Sequence, residues 1–172
     1  MALFSFQSFL QRSLLLIIIV FVGSQLTALA QEGNGQLRMT PTEIKQLKAG
    51  GPHAPGSSNL SAVQEIVIAG NPSQAGLYTI MLKVKAHTRI PAHLHPDSRM
   101  AMVHSGTWYF GYGDVFDEKK LKKLPAGSIY SEVINQNHFA MTGDEDVVVI
   151  INGYGPSGVQ FVNPKDDPRN KK

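Results

Sequence analysis

Three absences narrow the possible functions of this chain of 172 residues. It contains no cysteine, which excludes disulfides, thiolate metal ligands and a cysteine nucleophile. Its net charge is only +3, and its lysines form no stripe interleaved with aromatic residues, so we do not expect nucleic acid as a partner. Ser105, Ser128 and Ser131 lie outside any Gly-x-Ser-x-Gly context, which argues against a serine hydrolase.

A hydrophobic run near the N terminus predicts a signal peptide. Arg12 precedes the apolar run 14–22, which is too short to span a bilayer comfortably, and residues 28–30 (Ala-Leu-Ala) form a small-x-small cleavage signal. We therefore expect cleavage of residues 1–30 after Ala30, no stable membrane insertion afterwards, and a periplasmic or secreted mature protein. The alternative interpretation is an uncleaved membrane anchor.

Residues 31–60 read as an N-terminal extension that contains one short helix. Thr40, Pro41 and Glu43 have the form of a capping box with proline at the first helical position. Two glycines at positions 50 and 51 end the pattern, and a loop rich in proline, glycine and serine follows. This segment is too short to be a second domain.

Residues 61–163 read as a single all-β domain. About eight short runs rich in apolar and β-branched residues, separated by turn residues, are typical of a sandwich or barrel. The predicted strands cover residues 63–69, 77–84, 90–95, 99–104, 107–111, 129–134, 147–152 and 159–162. The lysine-rich segment 117–124 reads as a solvated loop or helical turn, and 164–172 as a polar surface tail.

Three histidines are the candidate metal ligands. His93 and His95 are two positions apart in a predicted strand, so their side chains project to the same side. With His138 they would supply three neutral nitrogen ligands, a set that suits Fe, Mn, Zn, Ni or Cu. The alternative is that His93 and His95 are simply polar residues at the end of a strand.

The spacing of these residues resembles the two sequence motifs of the cupin family. His93-x-His95, three residues, Arg99, six residues and Gly106 resemble the first motif, and Gly127 and His138 fall in register with the second. The resemblance covers about residues 60–163. It implies a double-stranded β-helix (a jelly-roll barrel), often dimeric, with the motif histidines pointing into its cavity.

The sequence also departs from the cupin motifs. His87 stands at the glycine that opens the first motif, and Arg99 stands at its glutamate. In the second motif, Val133 and Asn135 replace a proline and a glycine, and Thr142 replaces the final asparagine. These changes alter turns and leave the strand alternation intact, so they affect the metal site more than the fold.

Arg99 leaves three interpretations of the site open, because a guanidinium has no acceptor atom and cannot ligate a metal. It could clamp a substrate carboxylate or phosphate beside a three-histidine metal centre. It could replace the charge of the metal in a metal-free pocket that binds an anion. It could also pair with Asp97 or point to solvent, in a cavity without a catalytic role.

The resulting functional hypothesis is an exported single-domain cupin that binds a divalent transition metal through three histidines. It would act on a small anionic molecule oriented by Arg99, as a homodimer. The alternative is a metal-free or weakly metallated binding protein without catalysis. If it is an enzyme, the cupin resemblance allows an oxygenase, isomerase or lyase, since the same scaffold carries many reactions.

Overall fold

A computed structural model describes residues 36–50, 54 and 57–171 of the chain. The predicted signal peptide, residues 1–30, lies outside these described residues. Within them, no helix has the length and apolar character needed to cross a membrane.

The chain divides between Lys45 and Gln46 into two units. The described part of the first unit, residues 36–45, contains nearly all of helix α1 (Pro41–Gln46). The backbone N–H of Thr40 donates to Oε2 of Glu43 at 2.6 Å, and the N–H of Glu43 is 3.4 Å from Oγ1 of Thr40. These reciprocal bonds form a capping box, so the predicted short N-terminal helix is confirmed.

In the described part of the second unit, ten strands form two antiparallel sheets of five strands each. The first sheet has the order β1-β2-β9-β4-β7 and the second β10-β3-β8-β5-β6. The strands are β1 (Val63–Ala69), β2 (Gly76–Val84), β3 (Arg89–Leu94), β4 (Arg99–Ser105), β5 (Thr107–Tyr112), β6 (Lys122–Pro125), β7 (Ile129–Glu132), β8 (His138–Thr142), β9 (Val147–Gly155) and β10 (Gln160–Phe161). Two 3₁₀ turns, Glu118–Lys120 and Pro168–Asn170, lie outside the sheets.

The core forms between the inner faces of the two sheets. Alternate residues of β9, including Val147, Val149 and Ile151, are fully buried, as the period of a strand with one solvated face requires. On the facing sheet, Trp108 and Phe110 of β5 point into the same core. The predicted all-β architecture is therefore confirmed.

Two strands were not predicted from the sequence. The segment expected to be a solvated loop contains β6, whose Leu124 is buried while Lys122 and Lys123 stay exposed at the edge of the sheet. Lysines on an edge strand commonly prevent it from pairing with another chain. They also make the segment polar, so its hydrophobicity does not predict a strand. Strand β8 lies between β3 and β5 and is buried at four of its five positions, so it lacks alternation.

Candidate metal centre

Three histidines meet inside the barrel. His93 on β3 is the direct register partner of His138 on β8, and His95 follows one residue after the end of β3. All three are buried, with 6%, 1% and 2% of their surfaces exposed for His93, His138 and His95. One ring nitrogen from each lies within 4.8 Å of those of the other two. The structure thus brings together the three histidines singled out in the sequence.

Backbone carbonyls fix the orientation of each imidazole. Nδ1 of His93 donates to the carbonyl of Pro91 at 2.7 Å, and Nδ1 of His138 donates to that of Gln136 at 3.1 Å. Nδ1 of His95 donates to the carbonyl of Gly158 at 2.5 Å. Because a carbonyl only accepts, each proton is assigned to Nδ1 and each Nε2 keeps a free lone pair. Metal-binding histidines are held in this way.

Burial keeps the three imidazoles neutral. Desolvation lowers the pKa of His93 to about 3 and that of His138 to about 4, and it lowers the pKa of His95 well below its usual value. The Nε2 atoms of His95 and His138 are buried and make no hydrogen bond among the described residues. Neutral, unpartnered imidazole nitrogens in a buried group are the form of histidine that binds a metal. The residues present therefore fit a divalent transition metal.

Arg99 also lies inside the barrel, where it pairs with Glu132. The two residues are direct register partners on β4 and β7, and both are buried. Nε of Arg99 donates to Oε2 of Glu132 at 2.6 Å, and Nη2 contacts the same oxygen. The interpretations in which Arg99 pairs with Asp97 or points to solvent are therefore wrong. Asp97 instead accepts a hydrogen bond of 2.5 Å from the hydroxyl of Tyr78.

Glu132 is the functional candidate that the sequence analysis missed. Its Oε2 lies 3.6 Å from Nε2 of His95 and 3.9 Å from Nε2 of His138. The parity of β7 could have pointed to it, since Glu132 shares a strand face with the buried Tyr130. A glutamate in a strand is more often solvent-exposed, however, and only the pairing with β4 shows that this face points inward.

Another carboxylate, that of Glu65 on β1, is fully buried. Neither of its oxygens has a hydrogen-bond partner among the described residues. Desolvation raises the pKa of Glu65 to about 7, although the positive charge of Arg99 opposes this shift. Among the described residues, the buried carboxyl groups are those of Glu65, Asp97 and Glu132, and the buried guanidinium is that of Arg99.

The cavity beside the histidines is small and mostly apolar. A water-sized sphere can occupy about 30 Å³ of it, which is room for an ion with one or two small ligands. The ring of Phe110 stacks on His138 at 5.3 Å between centroids. The other apolar wall residues come from both sheets and the loop before β10; they are Val63, Ile80, Leu82, Ile90, Trp108, Tyr130, Ala140 and Val159.

His87 and His104 do not line this cavity. His104 is exposed on the outer face of β4, as its parity opposite Arg99 predicts. His87 is exposed and its Nδ1 lies 3.7 Å from a carboxylate oxygen of Asp144. His53 lies outside the described residues. Among the described residues, the group that could hold a metal ion is His93, His95 and His138.

The chain is similar to several solved structures, although no family model and no curated protein matches it. The polyketide cyclase RemF from Streptomyces resistomycificus has a TM-score of 0.60 and 16% identity, over 76% of this chain and 90% of that one. An RmlC-like cupin from Shewanella frigidimarina NCIMB 400 has a TM-score of 0.48 and 15% identity, over 64% of this chain and 85% of that one. A chain from the structures of the DMSP lyases RdDddP and RnDddQII has a TM-score of 0.47 and 18% identity, over 56% of this chain; our chain spans only 49% of its length.

The topology of the two sheets defines the class of the protein by its fold. Two antiparallel five-stranded sheets enclose a buried group of histidines, and RemF, with a TM-score of 0.60, has a similar fold. The fold is a double-stranded β-helix, the fold that the resemblance to the cupin motifs implied.

The first prediction concerns the buried Glu65. Its carboxyl has a pKa of about 7 in the folded protein and about 4.5 in the unfolded chain. Between these values the folded state binds more protons, so stability falls as the pH rises and levels off above pH 7. In Glu65→Gln we expect this decrease in stability with rising pH to be absent. The variant should gain up to about 3 kcal/mol in unfolding free energy relative to wild type across that range.

Urea unfolding at a series of pH values measures this difference. Glu118→Gln, which removes an exposed carboxylate, is the matched control and should leave the pH dependence of wild type unchanged. If Glu65→Gln and wild type show parallel stability curves from acid to neutral pH, Glu65 is not a buried carboxyl with a raised pKa.

Proposed function

We propose that this cupin is an exported protein that binds one divalent transition metal ion through His93, His95 and His138 and acts on a small anionic molecule. The observation that carries the proposal is the set of Nδ1 hydrogen bonds to backbone carbonyls, which leaves the Nε2 lone pairs of three buried histidines close together. Two of these atoms, Nε2 of His95 and Nε2 of His138, are buried without a hydrogen-bond partner among the described residues, and such atoms are costly unless a ligand binds them.

The charge of the interior supports a cation at this position. Asp97 and Glu132 are buried with a single guanidinium among the described residues, that of Arg99, whereas burial raises the pKa of Glu65 to about 7 and so favours its neutral form. A dication beside the histidines would offset the remaining negative charge, whereas an anion alone would increase it. This balance favours the metal centre over the alternative, a metal-free barrel in which Arg99 replaces the charge of the metal.

The side chains around the histidines define what the centre can do. The three imidazoles would hold the metal, and the apolar walls limit the access of water. A bound divalent metal supplies Lewis-acid polarisation of an oxygen of the substrate. Since only about 30 Å³ is open to a water-sized sphere, the reacting part of the substrate must be small.

The second prediction tests the metal centre itself. After purification in the presence of supplemented Zn²⁺, Mn²⁺, Fe²⁺, Ni²⁺ or Cu²⁺, wild type should retain about one equivalent of one of these metals. His138→Ala should lose it, because one of the three nitrogens is then missing. Elemental analysis by mass spectrometry measures the metal-to-protein ratio.

The control is His104→Ala, which removes an exposed histidine from the outer face of β4 and should leave the ratio unchanged. Circular dichroism confirms that both variants fold. A wild type that retains less than about a tenth of an equivalent under all supplements would contradict the metal centre.

The anionic character of the substrate rests on Arg99. It is the positively charged side chain that lines the cavity, and its guanidinium is held by Glu132. An anion that reaches Arg99 must therefore compete with a buried carboxylate. A bound metal would ease this competition by drawing negative charge toward itself.

The third prediction follows from this competition. Metal-loaded wild type should bind acetate at least about ten-fold more tightly than the neutral isostere acetamide, because only acetate can form a charge-assisted pair with the guanidinium. Arg99→Gln should lose the part of this preference that the guanidinium supplies while keeping its metal, which attracts acetate in both proteins. Isothermal titration calorimetry measures both ligands. Equal preference for acetate in Arg99→Gln and wild type would show that Arg99 does not recognise the anion.

We also propose that the outer face of the first sheet binds a second copy of the chain. The register places Leu77, Met100, Ile129 and Tyr154 on this face, where 80%, 52%, 68% and 60% of their surfaces are exposed. A two-fold interface brings a patch against itself, so an uncharged apolar patch suits it and a charged one would repel. This arrangement supports the expected homodimer.

The fourth prediction is that Ile129→Lys converts a dimer into a monomer, because it places like charges against each other across the two-fold axis. Analytical ultracentrifugation measures the mass. Val115→Lys is the matched control, since Val115 is 73% exposed in the loop after β5 and lies outside this face. A wild type that sediments as a monomer at all concentrations would refute the homodimer.

A further inference from the structure

We infer that Glu132 is the carboxylate ligand of the proposed metal centre and that Arg99 competes with the metal for it. This inference rests on the proposed function, since it names a fourth ligand for a centre with three histidines. It differs from the cupin motif that the sequence resembles, in which the carboxylate belongs to the position that Arg99 occupies here.

The position of the carboxylate is the first argument. Oε2 of Glu132 lies 3.6 Å and 3.9 Å from the Nε2 atoms of His95 and His138, the atoms that carry the free lone pairs. Neither Nε2 forms a hydrogen bond with Glu132, since both are without a partner among the described residues. These separations are compatible with one oxygen and two nitrogens that serve as ligands of the same metal ion.

The sheet register is the second argument. Residues 99 and 132 are direct partners across β4 and β7, so their side chains leave the sheet side by side on its inner face. A carboxylate on β7 can therefore reach the place that a carboxylate at position 99 of β4 would reach. The arginine lies on β4 and the carboxylate on the neighbouring β7, so the inner face of the sheet still carries an acidic side chain near position 99.

The contacts of Glu132 also show why Arg99 must compete. Both Nε and Nη2 of Arg99 bind Oε2, the same oxygen that faces the histidines. Coordination of Oε2 to a metal would weaken the attraction between the carboxylate and the guanidinium. Removing the guanidinium while keeping the carboxylate should therefore strengthen metal binding.

The competing interpretation is that Glu132 serves only as the counter-charge of Arg99. Both interpretations predict that Glu132→Gln loses stability, because Arg99 is then buried without an opposite charge. They differ in metal affinity and in the electronic spectrum of the bound metal, and these two measurements decide between them.

The fifth prediction uses Co²⁺ as the probe, because its visible absorption responds to the number and type of ligands. At about pH 6, where Glu65 is mostly protonated, Glu132→Gln should bind Co²⁺ at least about ten-fold more weakly than wild type, with an altered absorption spectrum. Glu65→Gln is the matched control. It makes the same change at another fully buried carboxyl group, and its affinity and spectrum should equal those of wild type.

A second pair of variants keeps the test decisive if Glu132→Gln folds poorly. Arg99→Gln should bind Co²⁺ more tightly than wild type, and the double variant Arg99→Gln with Glu132→Gln should lose that gain. The double variant contains neither buried charge, so it avoids an unpaired guanidinium.

The outcomes separate the two proposals. If wild type and Arg99→Gln both fail to bind Co²⁺ or any other transition metal, the proposed metal centre itself is wrong. If wild type binds Co²⁺ while removal of Glu132 changes neither affinity nor spectrum in either background, the three histidines hold the metal alone. In that case the present inference is overturned and the proposed function stands.

Discussion

The buried pair of Arg99 and Glu132 controls the electrostatics of the barrel interior. It joins β4 to β7 across their direct register position, and its carboxylate oxygen faces two of the three clustered histidines. Two charges removed from water are tolerated only when they satisfy each other closely, and here two guanidinium nitrogens share one oxygen. Burial raises the pKa of Glu65, and the charge of Arg99 opposes this shift. Burial lowers the pKa values of His95 and His138, and the charge of Arg99 adds to this shift.

The histidine group depends on the backbone and needs no side chain to orient it. His93 and His138 each donate to the carbonyl two residues earlier in the chain, so local strand geometry sets both rings. His95 depends on the carbonyl of Gly158, which belongs to the segment between β9 and β10. Changes at neighbouring side chains, including an arginine at position 99, can therefore alter the charge of the site without misplacing its nitrogens.

Strand alternation explains how much of this could be predicted from the sequence. It placed His93 and His95 on one side of β3 and His104 on the face opposite Arg99, and the structure agrees with both. Alternation within one strand cannot identify the partner strand, however. Glu132 could not be connected with Arg99 until the β4–β7 register was known. Glu65 was missed for a related reason, since a carboxylate in an apolar strand is normally on the solvated face.

The same register explains how the fold can tolerate a buried carboxylate beside the proposed metal centre. Glu132 without Arg99 would be a buried carboxylate whose only compensating charge is the metal, and such a group costs several kcal/mol when it is unpaired. The stability of the fold would then depend more strongly on bound metal. With Arg99 beside it, the carboxylate already has a counter-charge, so the barrel is electrostatically satisfied in either state. Arg99 should weaken metal binding for the same reason. The attraction between Arg99 and Glu132 stabilises the metal-free interior, and part of it would be lost when the carboxylate coordinates a metal.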